Sequence, residues 1–149
     1  MSEYLFAYGT LQPDHVAEEI APTVARFRAV GRGHVRGSLY DLGEYPGAIL
    51  SSSSRKRILG TVFELPEDPD VLKQLDEYEG FDPRKPTASL FVRKLHPVTL
   101  AAGQTVRCWI YEYNKRPKSG TLVANGHYKR KPSRGSQPER TGTARAARS

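Results

Sequence analysis

One carboxylate in this chain stands where solvent would not place it. The stretch Pro66-Glu-Asp-Pro-Asp-Val-Leu-Lys-Gln-Leu-Asp-Glu-Tyr-Glu-Gly80 predicts a helix with both ends marked. Asp68 can cap the start, Pro69 suits the first turn, and Gly80 suits a left-handed stop. At about 100° per residue, Val71, Leu72, Leu75 and Tyr78 form one apolar stripe. Glu79 lies roughly 50° from the centre of that stripe, inside the face such a helix buries. Asp70, Asp76 and Glu77 lie roughly 110° or more away, towards solvent. An inward carboxylate at a helix C-terminus meets the negative end of the macrodipole and costs stability. A costly titratable group is a candidate acid or base. A rotated helix or a frayed last turn, with Glu79 solvated, satisfies the pattern equally well.

A second feature with chemical potential is Tyr8-Gly9-Thr10-Leu11, which ends the apolar run Tyr4-Leu-Phe-Ala-Tyr8. Gly9 permits a tight turn with exposed backbone N–H groups, which can hold an anion or a developing oxyanion. Most Gly-Thr pairs after strands are only turns. The loop Phe81-Asp-Pro-Arg-Lys-Pro-Thr87 follows Glu79 directly and could wall a pocket. Other chemistries find little support. His15, His34, His96 and His127 are scattered without metal-ligand spacing, so no metal is expected. There is no Gly-x-Ser-x-Gly elbow. Gly31-Arg-Gly33 lies inside a strand pattern and lacks the third glycine of a dinucleotide site, and no phosphate-loop motif is present, so no cofactor is expected. Cys108 shares a strand face with Val106 and Ile110, which reads as core rather than nucleophile. What remains suits proton-transfer catalysis on an uncharged or zwitterionic small molecule, with backbone donors for the oxyanion.

The elements that must position these groups are mostly strands. The run from Tyr4 to Tyr8 reads as a strand buried on both faces. Residues 13–27 read as a helix or helical loop carrying Val16, Ile20, Val24 and Phe27. From Val30 to Leu42, Gly31, Gly33, Val35, Gly37 and Leu39 take one side and Arg32, His34, Arg36 and Ser38 the other. Glycines within such a strand mark bends or close backbone approach, as at barrel corners. Short strands are expected at Ala48–Leu50 and Ile58–Leu65, one broken near His96-Pro97 at Leu90–Leu100, and a last one at Thr105–Tyr113. The segment from Lys115 to Lys129 reads as a weakly structured return. The fold expected is α+β: a small mixed β-barrel of about six strands with one or two flanking helices.

The chain has 149 residues and a net charge of +7. In 130–149, Arg130, Lys131, Arg134, Arg140, Arg145 and Arg148 stand against Glu139, a net +5, so residues 1–129 carry only +2. The division expected is therefore a folded domain over 1–129 and a disordered basic tail over 130–149. A nucleic-acid partner is not expected for the nearly neutral body. No window approaches the length of a membrane span, no signal peptide is evident, and one Cys suits a reducing compartment. The cytoplasm is the expected location.

Taken together, Tyr8-Gly9-Thr10-Leu11 and Leu75-Asp76-Glu77-Tyr78-Glu79-Gly80 resemble the motifs of the γ-glutamylcyclotransferase-like family, which includes AIG2-like proteins and γ-glutamylamine cyclotransferases. Tyr45-Pro46, Leu90-Phe91-Val92-Arg93, Trp109-Ile-Tyr111-Glu-Tyr113 and Gly126-His127-Tyr128 support the resemblance, which covers roughly residues 3–129. It implies a β-barrel with flanking helices, and an enzyme that converts a γ-glutamyl amine or γ-glutamyl amino acid to 5-oxoproline and the free amine. It implies Glu79 as catalytic acid/base and Tyr8, Gly9, Thr10 and Leu11 as the substrate-binding loop. Arg93, Arg84 or Lys85 could pair with a substrate carboxylate, although Arg84 and Lys85 read first as solvated surface. No cofactor and no partner beyond the small molecule are implied; the protein would be a monomer or weak dimer. Two positions depart from the pattern: Phe91 stands where many relatives have Tyr, and His127 where an acidic residue is usual. The alternatives are a barrel of the same fold that binds without turnover, and a tail that binds nucleic acid or an anionic surface.

Overall fold

The computed structural model describes residues 2–9, 17–116 and 122–128. Thr10 and Leu11, residues 13–16 of the expected first helix, and the basic tail all lie outside the described residues. The described residues form six strands: β1 (Glu3–Ala7), β2 (Arg28–Asp41), β3 (Pro46–Leu50), β4 (Arg57–Leu65), β5 (Phe91–Leu100) and β6 (Thr105–Tyr113). The helices are α1 (Ala21–Val24) and α2 (Pro69–Glu79), and Pro86–Ala88 forms a 3-10 turn. The strand order β3-β2-β4-β1-β6-β5 returns on itself, because β2 also pairs with β5. β2, β4, β1, β6 and β5 thus form a closed ring, and β3 is an extra strand on β2. β1 runs parallel to β6 and every other pairing is antiparallel. This is the small mixed barrel with two flanking helices that the strand pattern predicts.

Ring closure depends on a missing side chain. Gly33 pairs with Leu100 where β2 meets β5, and a Cβ there would stand 2.9 Å from the Thr99 carbonyl oxygen. The alternation in β2 explains the rest: Val35 and Leu39 are buried, while Arg32 and Arg36 are exposed.

Two cores share the wall made by β1. Phe6 and Tyr8 point into one with Val35, Leu39, Ile58, Val62, Val98, Cys108 and Ile110. Leu5 and Ala7 point into the other, where Phe63, Leu65, Phe91 and Tyr111 pack against α2 through Val71, Leu75 and Tyr78. A strand with apolar groups on both faces reads as a continuous apolar run, as the sequence of β1 does.

One expectation is narrowed and another corrected. Of the helix or helical loop expected over 13–27, the described part from residue 17 holds the single helical turn α1, with Pro22 in its first turn, among successive turns. Proline lacks the N–H that a helix interior needs and suits a first turn, which is where Pro22 stands in α1. Ile20 and Val24 are nevertheless buried as the spacing requires. β5 is not broken at His96-Pro97. Only Thr99 and Leu100 of β5 pair with β2, so Pro97 lies where β5 has β6 alone as a neighbour, a position that tolerates a missing donor.

Candidate active site

The end of α2 forms as its residues predict. Asp68 Oδ1 accepts the Asp70 amide at 3.0 Å, and Gly80 stops the helix at φ 76°, ψ 34°. The Gly80 amide bonds back to the Asp76 and Glu77 carbonyls, and the Phe81 amide to Asp76 O at 2.9 Å. These bonds secure the last turn, so Glu79 is helical rather than frayed. Its side chain is wholly buried, while Glu77 beside it is exposed. Of the two readings the wheel left open, the inward one is what the structure contains.

Asp76 corrects the wheel. It was expected on the solvent side, yet it is 6% exposed. The β5–β6 hairpin packs against its flank of α2, beyond the apolar stripe. Arg93 from β5 donates to it twice, Nε to Oδ1 at 2.9 Å and Nη2 to Oδ2 at 3.2 Å. The Tyr111 hydroxyl from β6 donates to the same Oδ1 at 2.7 Å. Arg93, expected to meet a substrate carboxylate, is thus engaged inside the protein. Its guanidinium also lies 4.5 Å from the Trp109 ring centroid and 5.8 Å from that of Phe81.

Tyr8 and Gly9, at the end of β1, are both buried. The Tyr8 hydroxyl donates to the Tyr111 carbonyl at 2.6 Å and accepts the Ala48 amide at 3.2 Å. Tyr111 therefore links the two parts of the site: its carbonyl holds Tyr8 and its hydroxyl holds Asp76. Burial pushes the Tyr111 hydroxyl well above the usual phenol range. The charge and hydrogen bond of Asp76 push it further, the charge of Glu79 adds to this, and Arg93 opposes it. The phenol is a fixed proton donor at any physiological pH, and the electrostatics bring Glu79 and Asp76 to bear on one group.

Phe91, where a Tyr is common in the resembling family, is fully buried between Tyr45 and Tyr113, at 6.0 and 5.5 Å between ring centroids. The loop after Gly80 is held by Ser89, whose hydroxyl accepts the Asp82 amide at 2.9 Å and donates to the Lys85 carbonyl at 3.0 Å. Leu90 N bonds to Gly80 O at 3.2 Å, and Asn114 Nδ2 to the carbonyls of Pro86 and Ser89. The loop does line an open depression of about 320 Å³, together with Asp76, Glu77 and Gly80. Arg84 and Lys85 are exposed.

Residue-by-residue reading missed Asp76 and gave no role to Tyr111. Both had a signal. Asp76 is three residues before Glu79 and so one turn away on a neighbouring line of the helix. Trp109, Tyr111 and Tyr113 alternate with Cys108 and Ile110, so the outer face of this strand is aromatic and must be covered.

Comparison with known proteins agrees with this architecture. The family model for Gamma-glutamyl cyclotransferase, AIG2-like matches residues 5–130. A search of curated protein sequences found no match. Among solved structures, an AIG2-like protein from Mus musculus is 20% identical at a TM-score of 0.67, over 91% of this chain and 99% of that one. YkqA from Bacillus subtilis is 21% identical at a TM-score of 0.64, over 86% of this chain; the chain spans only 40% of that protein. A protein named gamma-glutamyl cyclotransferase is 16% identical at a TM-score of 0.55, over 76% of this chain and 67% of that one. At these identities the likeness is one of fold.

Proposed function

Because the chain belongs to the gamma-glutamyl cyclotransferase, AIG2-like family, we propose that it converts a γ-glutamyl amine or γ-glutamyl amino acid to 5-oxoproline and the free amine, with Glu79 as general acid/base. The observation that carries this reading is the complete burial of Glu79 at the negative end of α2, one face of which is closed by β6 and its Tyr111. A carboxylate kept from water in this way is suited to exchanging a proton with a bound group rather than with solvent.

In the reaction proposed, Glu79 takes a proton from the α-ammonium group of the substrate. The freed amine attacks the γ-carbonyl carbon of the same molecule, and a carbon–nitrogen bond closes the five-membered ring. Because both reacting groups sit on one molecule, the entropic cost is small. Backbone N–H groups around Gly9 and Thr10 would stabilise the oxyanion, with Tyr8 and Leu11 bounding the γ-glutamyl group. As the tetrahedral intermediate collapses, the ring nitrogen gives up its second proton, the bond to the leaving amine breaks, and the amine departs as an ammonium, one of its two added protons returned by Glu79. No step calls for a metal or cofactor.

The test is a panel of γ-glutamyl amino acids and γ-glutamyl amines incubated with the full chain, with 5-oxoproline measured by chromatography. Release from at least one class is expected. Silence across the panel would sink the catalytic reading and favour a barrel of the same fold that binds without turnover.

A further inference from the structure

The proposed reaction uses Glu79 but leaves Asp76, buried on the same helix, and its half-buried partner Arg93 without a task. Asp76 and Glu79 are three residues apart on α2, which puts their Cβ atoms about 5–6 Å apart. Both side chains are buried. A second buried carboxylate this close opposes the ionisation of Glu79. Arg93 breaks the symmetry between them, because both of its bonds go to Asp76. Tyr111 adds a third bond to the same carboxylate. Asp76 is thereby solvated by the protein and its charge cancelled.

We propose that Asp76 and Arg93 are positioning residues that act through Glu79: as a charge-cancelled pair within one helical turn of it, they set how readily Glu79 takes and releases its proton. The inference rests on the reading of Glu79 as the acid/base. The groups near Glu79 include Asp76 from its own helix and Tyr111 from β6, with Arg93 from β5 bonded to Asp76. Tyr8 from β1 is bonded to the Tyr111 carbonyl. Tyr111 keeps its proton throughout, as its high position on the pH scale requires. The Asp76–Arg93 pair is a part of this surrounding whose net charge substitution can change in either direction.

A pair that only pins α2 to the hairpin and a pair that controls a proton make different predictions. Asp76→Asn keeps the shape but leaves Arg93 as an uncancelled positive charge. The titration of Glu79 should then move to lower pH by about one unit. Arg93→Met leaves Asp76 as an uncancelled negative charge, and the titration should move to higher pH by about as much. The double variant Asp76→Asn/Arg93→Met carries neither charge and should return close to wild type.

The experiment is a carbon-13 NMR titration of the Glu79 side-chain carboxyl in the full chain, its signal identified by its loss in Glu79→Gln. The low-pH limb of kcat/KM, followed in the same variants, should shift in the same directions. Opposite shifts in the two single variants, and recovery in the double, would establish the proposal. Shifts in one direction for both, or of no more than a few tenths of a unit for either, would overturn it. If Arg93→Met does not fold, Asp76→Asn against the double variant decides on the same terms. A wild type without 5-oxoproline release refutes the proposed reaction, while the carboxyl titration still decides what the pair does to Glu79.

Discussion

The hydroxyl of Tyr8 and the carbonyl of Tyr111 are joined by a 2.6 Å hydrogen bond between residues 103 positions apart in the chain. The same hydroxyl accepts the Ala48 amide, so one phenol ties β1, β6 and β3 together beside the candidate site. Tyr8→Phe keeps the ring and deletes that junction. A buried N–H and a buried carbonyl each lose a bond, which typically costs about 1–3 kcal/mol. The melting temperature should fall by several degrees, and turnover should fall with it as the turn after Tyr8 loosens. A variant that melts with wild type and turns over normally would show that this hydroxyl holds nothing.

Glu77 and Glu79 offer a matched comparison, since one is exposed and the other wholly buried in the same turn. Glu79→Gln keeps size and removes the proton-accepting group. Turnover should drop about 10²–10⁴-fold. Its melting temperature should hold or rise, because a negative charge is removed from the negative end of the helix dipole. Glu77→Gln should leave both quantities near wild type. Steady-state kinetics and thermal melts on the two variants check this, and an inactive Glu77→Gln beside an active Glu79→Gln would reverse the assignment.

The contrast between Glu79 and Asp76 shows where sequence reading reaches and where it stops. The helix limits were legible because Asp68, Pro69 and Gly80 are local signals, each acting within one turn. The burial of Glu79 was legible as one of two outcomes, since angle alone places a side chain on the apolar face. Asp76 was misplaced because the buried arc of α2 is wider than its apolar stripe. What widens it is a hairpin contributed by β5 and β6, and a helical wheel contains no neighbours. The strands were legible from alternation, including the small inner residues of β2. Which strands meet was not: the β2–β5 contact that closes the ring involves only two registered pairs. Pro97 misled for a related reason, because its tolerance depends on which side of β5 is unoccupied.

Cys108 should be chemically silent in the folded protein. It is fully buried, its sulfur lies 3.6 Å from the Val106 carbonyl, and burial pushes its thiol up to about 12. The reactive thiolate is then on the order of 10⁻⁴ of the population at pH 8. Iodoacetamide should leave the native protein unmodified by mass spectrometry and label it promptly in urea. Cys108→Ala should keep activity at a stability cost of about 1–2 kcal/mol from the small cavity. Rapid labelling of the native state, or a folded but inactive Cys108→Ala, would contradict the core assignment.

His34 and His96 give the fold an acid-side dependence. Both are held below the usual value of 6.5, first by burial. Arg57 and Arg36 add to this at His34; at His96, Arg107 and Lys94 do so while Glu112 pulls the other way. The unfolded chain therefore takes up protons that the folded state resists. Their cost is absent above the unfolded value and appears as pH falls through it towards the lower folded values. Urea midpoints should decline as the pH drops from about 7 towards about 5, and His34→Gln/His96→Gln should show a flatter decline. Identical slopes for the two proteins would exclude these imidazoles as the source.

The central place of β1 also has a consequence in time. Among the described strands it comes first in sequence, yet its neighbours are β4 and β6, and β6 comes last. Until Thr105–Tyr113 exists, one side of Leu5-Phe6-Ala7 has no hydrogen-bonding partner and presents an apolar edge to other chains. Pairing so distant in sequence makes barrel formation slow, on the millisecond-to-second scale typical of non-local β topologies. The surroundings of Glu79 are completed by that same last strand, through Tyr111. A chain lacking that strand would be an aggregation hazard with the candidate site unfinished, and the event that removes the hazard is the one that completes the surroundings of Glu79.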